Sequence, residues 1–177
     1  MGAAILEQGG NAVDAAVTTA LCQGLYNPMA SGVGGGGFMV IRHPDGGAEF
    51  VNARETAPAA ATENMYARNA SLSLAGGLAI AVPLELHGLY QAHELHGDMP
   101  WGDLVRPVIP LARQGFPAHP YLVDALHKMD EATLEASPLL RETFFIQDGS
   151  HWRAPRINET CCVRTAFADT LEQSASY

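Results

Sequence analysis

Ser31-Gly32-Val33-Gly34-Gly35-Gly36-Gly37-Phe38-Met39-Val40-Ile41-Arg42 decides the fold, because in it a glycine-rich loop opens directly into a strand. Phe38 to Ile41 form a short apolar run, Pro44-Asp45-Gly46-Gly47 is a turn signal, and Ala48 to Asn52 read as a return strand. A β-hairpin is predicted, and its mostly apolar first strand suits a covered, central place in a sheet. Gly32 to Gly37 formally fit G-x-G-x-x-G. In a dinucleotide fold that loop follows a strand and opens a helix, whose N-terminus takes the pyrophosphate. Here the loop follows a helix and opens a strand, and no acidic residue ends a second parallel strand about twenty residues on. A nucleotide-binding module therefore rests on the loop alone. Two other readings fit the context: glycines that let backbones approach closely, and a loop that shapes a substrate pocket.

Upstream, Val13, Val17, Ala20 and Leu21 recur at helical spacing. Asn11 suits the N-cap and Asp14 the positive end of the helix dipole, while Gly24 and Pro28 close the segment. Ile5 to Gln8 read as the end of an earlier helix stopped by Gly9-Gly10, so the chain begins inside an element and an N-terminal part is expected to precede it. Downstream, a short helix is expected near Thr62–Arg68 and a short strand over Leu78–Val82. Pro83 then starts a helix running to about His96, with Leu86, Leu89, Tyr90 and His93 on one face and Gly97 as its stop. Pro107 and Pro110 imply short or kinked helices after Pro100-Trp101. Tyr121–Glu135 reads as helix, Asp148-Gly149 as a turn, and Phe167–Gln173 as a last helix. The whole is α+β and rich in helix.

Hydrophobic residues make up 47% of the 177 residues and charged ones 16%, which is a globular composition rather than a disordered one. The length suits one domain. Net charge is −9, without any basic stripe, which argues against nucleic acid as a partner. Every apolar stretch is interrupted before it reaches membrane-spanning length. A signal peptide is not visible, so any membrane attachment or export would depend on a segment outside this chain. The three cysteines, Cys22, Cys161 and Cys162, make no C-x-x-C and define no disulfide framework. Cys22 falls in an apolar helical pattern as a small core residue.

Few residues are marked for chemistry by pattern alone. His87, His93 and His96 share one predicted helix, but H-E-x-x-H is absent and they read as surface or helix-end residues rather than as metal ligands. No cofactor is implied. Asn69-Ala70-Ser71 and Asn158-Glu159-Thr160 are glycosylation triplets that matter only in a secretory pathway. No G-x-S-x-G elbow is present, and Thr18-Thr19 sits inside a helix, where such hydroxyls bond back to the chain. Arg54 and Glu55, in Asn52-Ala53-Arg54-Glu55-Thr56-Ala57-Pro58, follow the return strand. An Arg there can grip a carboxylate through two parallel hydrogen bonds, or it can form a solvated strand-end ion pair.

Ile5-Leu6-Glu7-Gln8-Gly9-Gly10-Asn11-Ala12-Val13-Asp14-Ala15-Ala16-Val17 closely resembles the opening block of gamma-glutamyltranspeptidases. Asn27-Pro28 with Ser31 to Met39 resembles the next block, and Asn52 to Pro58 a third. Gly76 to Pro83 with Leu84 to Gly88 resemble a fourth, and Pro100-Trp101 with Pro107 and Ala112 to Pro117 a fifth. The likeness covers roughly residues 3 to 120, and Leu139 to Tyr177 follow it loosely. It implies a single incomplete domain over residues 1 to 177, a large-subunit portion of an N-terminal-nucleophile hydrolase with an αββα sandwich.

In that family a precursor cuts itself into large and small subunits. The new N-terminal Thr of the small subunit attacks the gamma-glutamyl amide of glutathione, its own amine serving as base. The glutamyl group then passes to water, an amino acid or a peptide. Carried over, Arg54 matches the residue that binds the substrate α-carboxylate, and Glu55 its supporting neighbour. The Thr-Thr-His-type cleavage motif, the paired Ser and Gly-Gly segments and the strand before the first block are absent from these 177 residues. No catalytic residue is therefore assigned, and inactivity is expected without the small subunit. Gamma-glutamyl compounds and that subunit are the implied partners, and an extracellular, cell-surface or periplasmic place is implied by the resemblance alone. A truncated, non-catalytic paralogue that acts as an interaction partner is the alternative.

Overall fold

The computed structural model describes residues 1–176. Helix α1 (Gly2–Glu7) stops at Gly9, whose φ of 96° favours glycine, and the chain turns back into α2 (Ala12–Tyr26). The predicted cap of α2 is a full capping box. Asn11 Oδ1 accepts from Val13 N at 2.8 Å and Asp14 N at 3.1 Å, and Asp14 Oδ2 accepts from Asn11 N at 2.9 Å. Strands β1 (Gly37–Arg42) and β2 (Ala48–Ala53) form the expected antiparallel hairpin, with Met39 opposite Val51 and Val40 opposite Phe50.

The hairpin has two unlike faces, as strand alternation requires. Met39, Ile41 and Val51 pack inward on a core built from α2, α3 (Glu85–His96), α4 (Trp101–Val105), α5 (Ile109–Gln114) and α9 (Thr165–Ser174). Phe38, Val40 and Phe50 point outward and are 63%, 69% and 62% exposed. The covered position expected for β1 is thus met on one face only. Of the two stacked sheets implied by the resemblance, the hairpin and its helical backing are the part described here, beside two further two-stranded pairings.

Pro107 and Pro110 break the segment after Trp101 as expected, into α4, a 3-10 turn over Arg106–Val108, and α5. Trp101 is buried and donates from Nε1 to Ser174 O at 3.0 Å, fastening α4 to α9. A second core gathers Phe116, Leu122, Leu126, Phe145 and Cys161. It is framed by β3 (Phe116–Pro117), α6 (Pro120–His127), α7 (Glu131–Ala136), α8 (Pro138–Phe144), the hairpin of β4 (Ile146–Asp148) and β5 (His151–Arg153), and β6 (Thr160–Cys161), which pairs with β3.

Several local expectations are corrected. Residues 62–68 form turns, not helix, because they offer no face to the core and so short a helix is marginal without packing. Residues 78–82 are no strand. A 3-10 turn spans Gly77–Ala79, and Val82 makes an isolated bridge to Thr56. The single helix expected over Tyr121–Glu135 is two, because Asp130 recaps the chain, its Oδ1 accepting from Thr133 N at 2.7 Å. Gly97 ends α3 with φ −78°, in an extended rather than a left-handed conformation. Thr19 bonds back to Ala15 O as expected, whereas the buried Thr18 donates to Leu104 O at 2.9 Å. Cys161 and Cys162, for which the sequence defines no pairing, are joined to each other, with Cys162 at φ 69°. No described helix is long and apolar enough to cross a membrane.

Candidate functional site

A cleft of about 610 Å³ opens where the glycine loop, the end of β2, the start of α3 and the start of α9 meet. Close backbone approach makes it. A Cβ on Gly24 would lie 2.6 Å from Gly32 Cα, so α2 and the loop touch only because both residues are glycine. A Cβ on Gly36 would lie 2.6 Å from both Glu55 N and Glu55 Oε2. Gly35 O accepts from Leu84 N at 3.0 Å and Glu85 N at 3.2 Å, which ties the loop to the start of α3. The close-approach reading of the glycines therefore holds, and Gly32 to Gly36 also line the cleft. The loop runs into β1 rather than into a helix, so the helix N-terminus that a pyrophosphate requires does not follow it.

Arg54 and Glu55 both line this cleft. Asn52 Oδ1 accepts from Arg54 N at 3.1 Å and fixes the backbone as it leaves β2. Arg54 Nη2 lies 3.2 Å from Glu55 Oε1, with the two side chains 61% and 26% exposed. The guanidinium is thus held on one side and open on the other. Glu55 Oε2 is buried without a hydrogen-bond partner. Taken together, this is a cation with free donors, steadied by a carboxylate, facing a cleft walled by backbone. Such an arrangement receives a planar anion.

Two further ionisable groups reach the cleft without having been marked in the sequence. Glu85, in the first turn of α3, has its carboxyl pushed up by burial, an effect partly offset by a hydrogen bond from the Gly32 backbone. Arg164, just before α9, donates from Nη2 to Leu25 O at 2.9 Å and lies over the Phe144 and Phe167 rings at 5.7 and 5.3 Å. Burial pulls its guanidinium down. Neither sits in a chemical motif; only the approach of chain segments far apart in sequence brings them in. The helix histidines go their separate ways: His87 is exposed, His93 Nε2 contacts Met99 O at 2.7 Å, and His96 Nε2 contacts Glu49 Oε2 at 3.1 Å.

The chain and its fold have counterparts among known proteins. Scoloptoxin SSD14 of Scolopendra dehaani is 45% identical over 179 residues, which cover 98% of this chain and 30% of that protein. Glutathione hydrolase proenzyme 1 of Schizosaccharomyces pombe is 40% identical over 182 residues, 100% of this chain and 27% of its own length. The crystal structure of Helicobacter pylori gamma-glutamyltranspeptidase superposes with a TM-score of 0.87 at 30% identity, covering 99% of this chain and 50% of that one. The chain therefore spans under a third of the length of these two relatives, and its fold is that of the N-terminal-nucleophile hydrolases. The family model described as Gamma-glutamyltranspeptidase matches residues 1–177, from the capped α2 through the glycine loop and Arg54 to α9, and this chain belongs to that family.

Proposed function

We propose that this chain is a large-subunit portion of a gamma-glutamyltransferase that also hydrolyses glutathione, and that it supplies the carboxylate-binding side of the active site. The observation that carries this reading is Arg54: a half-open guanidinium beside Glu55, at the rim of the glycine-walled cleft. Two parallel N–H donors fit the α-carboxylate of a gamma-glutamyl group, and a charge-assisted pair of this kind orients as well as binds. Glu55 keeps the fork aimed. With the α-carboxylate held, the side-chain γ-carbonyl is presented away from Arg54, towards the surface that the small subunit covers. Its N-terminal Thr attacks that carbonyl, the amide leaves as the free amine, and the acyl group passes to water or to an amino acid or peptide acceptor.

Ser31 also lines the cleft, but among the described residues it has no hydrogen bond to a base, so the nucleophile is assigned to the small subunit. The outward face of the hairpin, with Phe38, Val40 and Phe50, suits burial under that partner. Membership of the family favours an extracellular, surface or periplasmic place.

The test is reconstitution. A relative's full-length precursor in which this chain replaces the matching residues is expected to release the amine from a gamma-glutamyl anilide, and Arg54→Ala to raise KM about thirty-fold or more, the loss of one charge-assisted pair. Arg54→Lys should recover part of the binding, since an ammonium keeps the charge but not the fork. An unchanged KM in Arg54→Ala would remove the assignment. Robust turnover by the chain alone would remove the two-subunit reading.

A further inference from the structure

We propose that His43, Glu49 and His96 form a site for a borderline divalent cation, with Zn²⁺ as the best fit, which clips the tip of the hairpin to the end of α3. His43 Nε2 lies 2.9 Å from Glu49 Oε1, and His96 Nε2 lies 3.1 Å from Glu49 Oε2. The ligand atoms of all three residues fall within 4.8 Å of one another. Tetrahedral zinc, with bonds of about 2.0–2.2 Å to nitrogen and oxygen, sets its ligands roughly 3.4 Å apart. The two imidazoles meet different oxygens of Glu49, so a rotation of the exposed carboxylate brings one oxygen to both nitrogens, and the three ligand atoms close from within 4.8 Å to that spacing. The two imidazole rings lie side by side, with centroids 5.1 Å apart and tilted by 54°.

Each ligand stands on fixed backbone. His43 N donates to Gly47 O at 2.9 Å and Gly46 N to His43 O at 3.0 Å, which closes the turn. Glu49 lies on β2 opposite Ile41, on the strand face that His43 shares, so the two meet diagonally across the hairpin. His96 is the last residue of α3, and its carbonyl accepts from Asn11 Nδ2 at 2.6 Å. All three side chains keep solvent contact, which leaves room for a water as fourth ligand.

The chemistry of the donors selects the metal. Two imidazole nitrogens with one carboxylate suit Zn²⁺ and its neighbours Co²⁺, Ni²⁺ and Cu²⁺, whereas Mg²⁺ and Ca²⁺ want oxygen shells. An exposed glutamate is ionised at neutral pH, so Glu49 offers an anionic oxygen without further change. Zinc takes the lone pair of a neutral imidazole nitrogen, so each ring would bind through Nε2 with its proton on Nδ1. Glu49 and Arg54 are five residues apart on an extended strand, or about 17 Å. The site is thus remote from the cleft, and its effect is on the stability of the hairpin that carries Arg54. The sequence could not reveal it, because its ligands come from a strand end, a neighbouring strand and a helix terminus.

The test is metal titration of the chelator-treated protein carrying this sequence, followed by calorimetry and thermal unfolding. One Zn²⁺ per chain with a raised Tm is expected, Co²⁺ should give the intense visible absorption of a tetrahedral centre, and Mg²⁺ should do neither. His43→Ala, Glu49→Gln and His96→Ala should each weaken Zn²⁺ binding at least about tenfold, with far-UV circular dichroism unchanged, while His87→Ala leaves it intact. Zinc binding that is undiminished in Glu49→Gln/His96→Ala, or no Tm shift at tenfold excess Zn²⁺, would overturn the site. None of these readouts uses turnover, so they stand or fall apart from the acyl-transfer reading.

Discussion

Asp14 has no exposed surface, yet it carries a carboxylate. Its oxygens accept from Asn11 N at 2.9 Å, Asp98 N at 3.2 Å and Met99 N at 3.3 Å, so one side chain closes the cap of α2 and fastens it to the loop after α3. Asp14→Ala leaves three backbone donors without partners, and we expect a loss of about 3 kcal/mol, read from the shift in urea midpoint. Gly36 is constrained by contact. Gly36→Ala should push the Arg54–Glu55 corner away from the loop, costing about 1–3 kcal/mol and, in the reconstituted enzyme, raising KM for the glutamyl donor. At this scale the sequence was legible where interactions are local. The Asn11–Asp14 box joins residues three apart and can be read from spacing. Arg164 meets Leu25 across 139 residues, and no pattern within the chain announces that. Arg54 was read as a substrate ligand only through resemblance, since an Arg at a strand end fits a surface ion pair equally well.

Among elements, the hairpin and the proline-broken helices followed from turn residues and periodicity. The errors fell where a short segment lacks a face to bury, as at residues 62–68, or where a new cap restarts a helix, as at Asp130. The β4–β5 hairpin carries a testable electrostatic tie. Arg153 Nη1 and Nη2 donate to the two Glu159 oxygens at 2.8 Å each, and Arg156 N adds a third bond at 2.7 Å. The Arg153 guanidinium, chiefly, holds the Glu159 carboxyl at about 2, against an ordinary 4.5. The folded-state value is depressed, so the stabilisation is complete above about pH 4.5 and is lost as pH falls towards 2. Glu159→Gln should flatten the acid limb of stability in that window, as followed by denaturant midpoint against pH, and leave the curve above pH 5 parallel to that of the parent.

At the scale of the molecule, the open side of the hairpin dominates behaviour. Phe38 and Phe50 stack on each other with ring centroids 5.7 Å apart and, with Val40, leave an apolar strip beside two unpaired strand edges. The isolated chain is expected to self-associate with rising concentration in sedimentation velocity, and Phe38→Thr with Phe50→Thr to shift it towards monomer. The family and its fold were legible because blocks of sequence keep their order. The open face was not, because an apolar strand reads the same whether its cover comes from this chain or from another.

The main core also sets a schedule for synthesis. Trp101 and Arg164 bind α9 to α4 and to the end of α2, so helices made early in this segment close against one made up to 139 residues later. Until residues 165–174 clear the ribosome exit tunnel, Leu25 and Leu104 have no finished wall to meet. Arrested nascent chains that hold α9 inside the tunnel should therefore stay sensitive to protease over α2, and become resistant once α9 emerges.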